Sequence, residues 1–140
     1  MLGFVVISVK LIIGGVISYI LPSIVKSNIS KSDHLQIACM GLFSTSIFSV
    51  CVQGDPQSSY TLSAGAMVLV GFFSYGLSSG MDSIEKILFY SSVVIGLFIG
   101  FGYILQGIIL SFLVYYIISN QSDLFLFLKN DDSTEEDISK

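Results

Sequence analysis

The chain has 140 residues, of which 53% are hydrophobic and 11% charged, and its formal net charge is −4. It is far more apolar than an ordinary soluble domain and about half as charged, which argues against a water-soluble fold. The sequence contains no arginine, the side chain best suited to bidentate phosphate recognition, so nucleic acid is not an expected partner.

Long stretches without Asp, Glu, Lys or Arg dominate the sequence. They lie between residues 10 and 26, 35 and 54, 56 and 81, and 87 and 122. A helix that crosses a bilayer needs about 20 apolar residues. We therefore predict an all-α membrane protein, with residues 1–122 forming a bundle of four to five short transmembrane helices and the lipid bilayer as its surroundings.

The first three helices are bounded by turn signals. We predict helices over residues 2–25, 34–52 and 60–77, with Pro22 bending the last turn of the first. A polar, serine-rich loop follows the first helix, and glycine and proline at Gly54 and Pro56 indicate a turn after the second. No basic amino-terminal region or small-residue cleavage site marks a removable signal peptide, so we expect the first helix to stay.

The stretch from residue 87 to 122 has two interpretations. As one helix it would be about 54 Å long, well beyond a hydrocarbon core of about 30 Å. A turn at Gly100-Phe101-Gly102 would divide it into two helices, although Gly96, Gly100 and Gly107 would line one face of an unbroken helix. With five helices, every lysine except Lys10 lies on one side, so the positive-inside rule favours five helices with an outer amino terminus.

Residues 123–140 form the predicted tail. An acidic cluster lies near its end, formed by Asp131, Asp132, Glu135, Glu136 and Asp137. A charged run without fixed geometry is typical of a solvated, disordered end, so we predict a cytoplasmic tail and no metal site.

Lys10 is the most informative single residue, because a lysine inside an apolar helix is by default a candidate functional group. The alternative is that its stem carries the ammonium group toward the nearer membrane surface. With five helices, Asp55 lies on the same side as Lys10 and could form an intramembrane or interfacial pair with it. Turn formation by Asp-Pro explains Asp55 equally well.

No catalytic or cofactor-binding constellation is predicted. The serines lack a neighbouring base, and His34 is the only histidine, so nucleophilic catalysis and metal binding have no partner residues. Cys39 and Cys51 are about 18 Å apart along one predicted helix and cannot bridge each other. We expect two free thiols buried in lipid and a protein that is not an enzyme.

Glycines carry more information, because small residues let helices approach closely in lipid. Gly65, Gly76 and Gly80 share one face of the third helix, and Gly96 and Gly100 are spaced as a small-xxx-small pair. Packing within the subunit and an interface in a homo-oligomer, or with another membrane protein, are both open.

Several segments between residues 10 and 118 resemble the hydrophobic domain of the MgtC/SapB family. They are Lys10-Leu-Ile-Ile-Gly-Gly, His34, Gly41-Leu-Phe, Asp55-Pro56, Ser63-Ala-Gly-Ala, Gly71-Phe-Phe, and Ile95 through Tyr103. The resemblance implies five short helices and a role in associating with, regulating or forming an assembly in the bacterial inner membrane.

A second set of segments, between residues 10 and 88, is similar to small phage holins. They are Gly14-Gly-Val-Ile-Ser-Tyr, Gly71-Phe-Phe-Ser-Tyr-Gly and Asp82-Ser-Ile-Glu-Lys. This likeness implies a membrane-permeabilising lysis protein. A small transporter or channel subunit is a third alternative, less favoured because, apart from Lys10, no predicted helix carries an ionisable residue in its middle to bind or relay a charged substrate.

The lysine distribution predicts the topology. Reporter fusions at Lys140 and between residues 53 and 57 should report opposite compartments, with Lys140 in the cytoplasm, because positively charged loops stay on the cytoplasmic side. Fusions scored by alkaline phosphatase and fluorescent-protein activity make the measurement. Two fusions on the same side would contradict the charge argument.

Overall fold

The computed structural model describes residues 2–25, 29–53 and 56–120, including all of their side chains except those of residues 2 and 56–58. Over these ranges the chain is all-helical. The elements are α1 (Leu2–Val25), α2 (Lys31–Cys51), α3 (Pro56–Leu77), the 3-10 turn Ser78–Gly80, α4 (Ser83–Phe101) and α5 (Ile104–Ser119). Five helices are therefore confirmed, and the single long fourth helix is wrong. The predicted acidic tail lies outside the described residues.

Two helices begin earlier than their predicted starts, at capping signals in the sequence. Ser30 caps α2, because its Oγ accepts a hydrogen bond from the Asp33 backbone N–H at 3.1 Å, so the helix starts at Lys31 rather than residue 34. The third helix starts at Pro56 rather than residue 60. Proline is favoured at a first helical position, where its missing N–H has no intrahelical partner to lose.

The start of α4 is fixed by a capping box that the sequence analysis missed. Asp82 precedes the helix, and the backbone N–H of Asp82 donates to Glu85 Oε2 at 3.1 Å. Glu85 is only 7% exposed, so its carboxylate turns back onto the helix end. The charged segment around Glu85 thus lies in the first turn of α4.

The break between α4 and α5 is built on Gly102, which has a positive φ of 98°. The Tyr103 N–H donates to the Phe98 carbonyl at 2.8 Å, and the Gly102 N–H donates to the Ile99 carbonyl at 3.0 Å. This pair of bonds is a Schellman motif, which needs a left-handed residue that glycine supplies without steric cost. The predicted turn around residues 100–102 is therefore confirmed, and Gly102 is the residue that makes it.

The centre of the bundle is formed by α2 and α4, which run in the same direction. Ile37 of α2 lies beside Ser92 of α4, and Phe48 lies beside Gly100 further along both helices. Helices α1 and α5 run the opposite way, and α3 lies on the outer side of α2. The fully buried large side chains come from these two central helices: Ile37, Phe48, Leu88, Phe89, Ile95 and Ile99.

The alternating directions give the bundle two ends. The Lys10 end holds the start of α1, the ends of α2 and α4, and the starts of α3 and α5; the Lys31 end holds the opposite termini. Helices α1 to α4 are long and apolar enough to cross a membrane by length and composition, while α5, at 16 residues, is apolar but shorter.

The close packing of α2 against α4 predicts how a side chain added at a glycine between them changes the free energy of unfolding. A Cβ at Gly96 would overlap the Gly41 carbonyl oxygen, whereas a Cβ at Gly71 has no described atom within 4 Å. We expect Gly96→Ala to lower the free energy of unfolding in detergent by about 1–3 kcal/mol, as overpacking does. The control, Gly71→Ala, should raise it by about 0.5–1 kcal/mol through helix propensity.

Denaturant titration followed by circular dichroism measures both variants. Equal stabilities for Gly96→Ala and Gly71→Ala would show that α2 and α4 do not approach as closely as described.

Candidate functional site

Lys10 contacts the end of α4. Its Nζ donates a hydrogen bond to the Gly100 carbonyl oxygen at 3.0 Å, and a Cβ at Gly102 would lie 3.6 Å from the same nitrogen. The Schellman bonds occupy the carbonyls of Phe98 and Ile99, so Gly100 presents a carbonyl left over at the helix terminus. A cation is favoured there because the carboxyl end of a helix carries partial negative charge.

Lys10, inside α1, is therefore hydrogen-bonded to a helix end that lies 90 residues away in the sequence. Asp55, its predicted partner, lies outside the described residues, so the Lys10–Asp55 pair stays a prediction. The ammonium has a partner in the described chain, and that partner is a backbone carbonyl, which carries no residue-type signature in the sequence.

Three helices meet at Gly41. The space that a Cβ would need at this glycine is taken by the hydroxyls of Ser18 from α1 and Ser92 from α4. Both serines are fully buried. We call the surrounding group of small residues the serine–glycine junction: Gly14, Ser18, Gly41, Ser44, Thr45, Ser92 and Gly96.

Hydroxyls of the junction bind backbone carbonyls across helices. Ser92 Oγ of α4 donates to the Ile37 carbonyl of α2 at 3.2 Å, and Ser44 Oγ of α2 donates to the Val93 carbonyl of α4 at 2.9 Å. Thr45 Oγ1 instead donates to the Gly41 carbonyl of its own helix at 2.8 Å. The two reciprocal bonds fix the register of α2 against α4.

Two further buried hydroxyls have no hydrogen-bond partner among the described residues, Ser18 Oγ at the junction and Ser49 Oγ one turn beyond Thr45. A buried hydroxyl without a partner costs about 1–3 kcal/mol. The junction thus combines satisfied and unsatisfied hydroxyls, with no ionisable side chain among its members that could activate a nucleophile.

The predicted glycines divide into two groups. Gly96 and Gly100 are buried against α2, where a Cβ at Gly100 would lie 2.7 Å from Phe48 Cβ. Gly65, Gly76 and Gly80 have no described atom within 4 Å of a built Cβ, so they face away from the rest of the described chain. Packing within the subunit therefore describes the first group, and the oligomer interface remains a prediction for the second.

His34 joins the start of α2 to α1 near Pro22. Its Nε2 lies 2.9 Å from the Tyr19 carbonyl oxygen and 3.4 Å from Ser23 Oγ. The imidazole packs on the Tyr19 ring, with centroids 4.8 Å apart. The polar contacts of His34 thus go to a helix backbone and a hydroxyl. In the part of the chain that the structure describes, no three His, Cys, Asp or Glu side chains could hold a metal ion.

The junction itself was not predicted as a unit. Ser44, Ser49 and Ser92 drew attention only as nucleophiles without a base, and Gly41 only through a family resemblance. A usable signal was present, since Ser44 and Thr45 lie three and four residues after Gly41 on one face of α2.

Comparison with known proteins adds no assignment to this geometry: no family model matches the chain, and no curated protein or solved structure shows significant similarity to it.

Replacing Lys10 should change membrane insertion and folding stability in opposite directions. Lys10→Leu should insert into membranes at least as well as the native chain, because leucine near mid-helix favours insertion by about 0.5 kcal/mol and lysine opposes it by about 2.5 kcal/mol. The same variant leaves the Gly100 carbonyl without its donor. Its unfolding free energy in detergent should therefore fall, by about 1 kcal/mol.

Lys10→Arg is the matched control, because a guanidinium can still donate to the carbonyl, and it should retain most of the stability. A Lys10→Leu variant as stable as the native protein would show that the lysine only extends to the membrane surface.

Proposed function

We propose that this chain is a multi-pass membrane protein without enzymatic activity that forms or joins a membrane assembly through the outer face of α3. We place it in the bacterial inner membrane, as its resemblance to the MgtC/SapB family implies, with its acidic tail in the cytoplasm. The proposal is supported by the distribution of polarity, by the weak attachment of α3 and by the glycines on its outer face.

The distribution of polarity in the bundle differs from that in a water-soluble protein. Buried hydroxyls and glycines lie at the centre beside large apolar side chains, and large apolar side chains also cover the outside, among them Phe4 at 77% exposed and Phe112 at 70%. Soluble proteins rarely expose large contiguous apolar surface. Small and hydroxyl residues between helices, with apolar residues outward, are typical of helices that pack in lipid.

The attachment of α3 is one-sided. Ser63, Ala66, Val70 and Ser74 form the buried stripe that packs toward the bundle. The opposite face presents Val68 at 74%, Phe72 at 78% and Tyr75 at 80% exposed. Half of α3 is thus available for contact outside the subunit.

The observation that carries the assembly proposal is the open space beside Gly65 and Gly76 on that outer face. A glycine that faces lipid lacks side-chain packing and has a low helix propensity, and no contact within the subunit offsets that cost. Close backbone approach by a second helix is the gain that glycines provide in membranes. We infer that another copy of the chain, or a membrane-protein partner, approaches here.

A pair of substitutions tests this role. Gly65→Leu with Gly76→Leu should weaken self-association or partner capture by at least about tenfold. The two leucine side chains would keep the backbones apart, and the lost contact energy should exceed about 1.4 kcal/mol. Leucine is a better helix former than glycine, so folding should not suffer. Single-molecule photobleaching in native membranes counts the subunits, and mass spectrometry after cross-linking detects a partner.

Gly71→Leu is the matched control, because Gly71 is also open but lies about 120° around the helix from Gly65. If the native chain is monomeric and captures no membrane protein, the assembly proposal is wrong. Abrupt loss of membrane potential and growth arrest at a set time after induction would instead identify a holin-like lysis protein.

A further inference from the structure

The turn between α4 and α5 lies in a recess at the Lys10 end of the bundle. Gly100, near the end of α4, packs against α2 between Thr45 and Ser49. These two positions precede Gln53 by eight and four residues, which is about 6–12 Å at the rise of a helix. Gln53 is level with the start of α1, because its Nε2 donates to the Gly3 carbonyl at 3.2 Å. The end of α4 therefore lies deeper in the bundle than the start of α1.

A cavity of about 630 Å³ lies beside this turn, and we call it the vestibule. Its walls are Val52 at the end of α2 and one face of α3 from Ser59 to Met67, and Phe101 and Tyr103 of the turn form its floor. The lining of α3 covers eight residue steps, or about 12 Å along the helix. One water molecule needs a cavity of only about 10–15 Å³, so the vestibule has room for many.

Unpaired polar groups border the vestibule. Ser63 lines it and is 9% exposed, and its hydroxyl has no hydrogen-bond partner among the described residues. The first backbone N–H groups of α5, which begins at Ile104, have no helical acceptor, and Tyr103 provides no side-chain cap for them. Each of these groups would be costly in hydrocarbon, so the recess needs an occupant that can form hydrogen bonds.

Lys10 places a charge at the same turn. An ammonium group has three N–H donors, and in Lys10 one of them binds the Gly100 carbonyl. The described residues offer the ammonium no second acceptor, and the side chain is half-buried. A charged group at membrane depth is stable when it is paired or faces a water-filled cavity. The remaining donors of Lys10 therefore also require water at the turn.

We propose that the vestibule is filled with water and brings solvent from the Lys10 side of the membrane down to the α4–α5 turn. The inference rests on the membrane embedding put forward under the proposed function. Non-helical backbone at membrane depth is tolerated where it lines a water-filled cavity or is buried in protein. Water can bond to Ser63, to the start of α5 and to Lys10, whereas a lipid chain in the same space could bond to none of them.

The inner end of the vestibule is closed. Its lining ends at Met67 and at the α4–α5 turn, and beyond that turn the bundle packs tightly, with Gly96 against the Gly41 carbonyl oxygen. Water should therefore enter from one side of the membrane only.

Reaction of single cysteines with a membrane-impermeant thiosulfonate tests the vestibule in sealed membrane vesicles that contain the full-length protein. The background chain carries Cys39→Ser and Cys51→Ala. Ala64→Cys and Tyr103→Cys, inside the vestibule, should react at least about tenfold faster than Leu105→Cys, because a thiol ionises to the reactive thiolate in water and not in lipid. Leu105 is the matched control, since it is 66% exposed and two residues from Tyr103 but does not line the vestibule.

Filling the vestibule should exclude the reagent. Ala64→Phe should slow the reaction of Tyr103→Cys to the rate of Leu105→Cys. The matched control is Leu62→Phe, which adds the same ring about 200° around α3, on the opposite side of the helix. Leu62 is already 55% exposed, so this variant should leave the reaction of Tyr103→Cys unchanged.

Three results would overturn the proposal. Equal rates at Tyr103→Cys and Leu105→Cys, or reaction of Ala64→Cys with a membrane-permeant maleimide alone, would show that lipid fills the vestibule. Reaction of Tyr103→Cys from both sides of the membrane would show a passage through the bundle instead of a closed vestibule. Failure of the proposed function would appear differently, as a chain absent from the membrane fraction or as no effect of Gly65→Leu with Gly76→Leu on association.

Discussion

Close contact between α2 and α4 is the constraint on which the rest of the bundle depends. These helices run in the same direction, with Gly96 against the Gly41 backbone and Gly100 against Phe48. Two parallel helices cannot be joined by a short turn, so the intervening chain must return from one end of the bundle to the other. Helix α3 makes that return, which explains why it needs only one packed face on α2 and leaves its other face open.

The same contact determines which polar groups can be buried. Ser44 and Ser92 each donate to a carbonyl of the opposite helix, so a shift of one helix along the other would break both bonds. The hydrocarbon core of a membrane holds no water that could replace the broken hydrogen bonds, so each unsatisfied polar group there is costly. Glycines bring the backbones close enough for these short side chains to reach, so close packing and register are fixed together.

The sequence predicted features that have local causes. The bounds of α1 agree with residues 2–25, and the turn near Gly102 follows from the position of glycine in an apolar stretch too long for one span. The capping box at Asp82 and the cap at Ser30 were equally local but were overlooked. The partner of Lys10 had no local cause, because any helix end offers a free carbonyl, and only the packing of α1 against α4 selects that of Gly100.

The glycines show most clearly where sequence reasoning stops. Gly65 and Gly76 on α3 and Gly96 and Gly100 on α4 have similar apolar surroundings in the sequence, yet among the described residues only the second pair is packed against other helices. A glycine shows where a backbone can approach, while the identity of the approaching helix depends on the path of the whole chain. On α3 that path leaves open the face that carries Gly65 and Gly76, because the helix packs on the bundle only through the stripe of Ser63, Ala66, Val70 and Ser74.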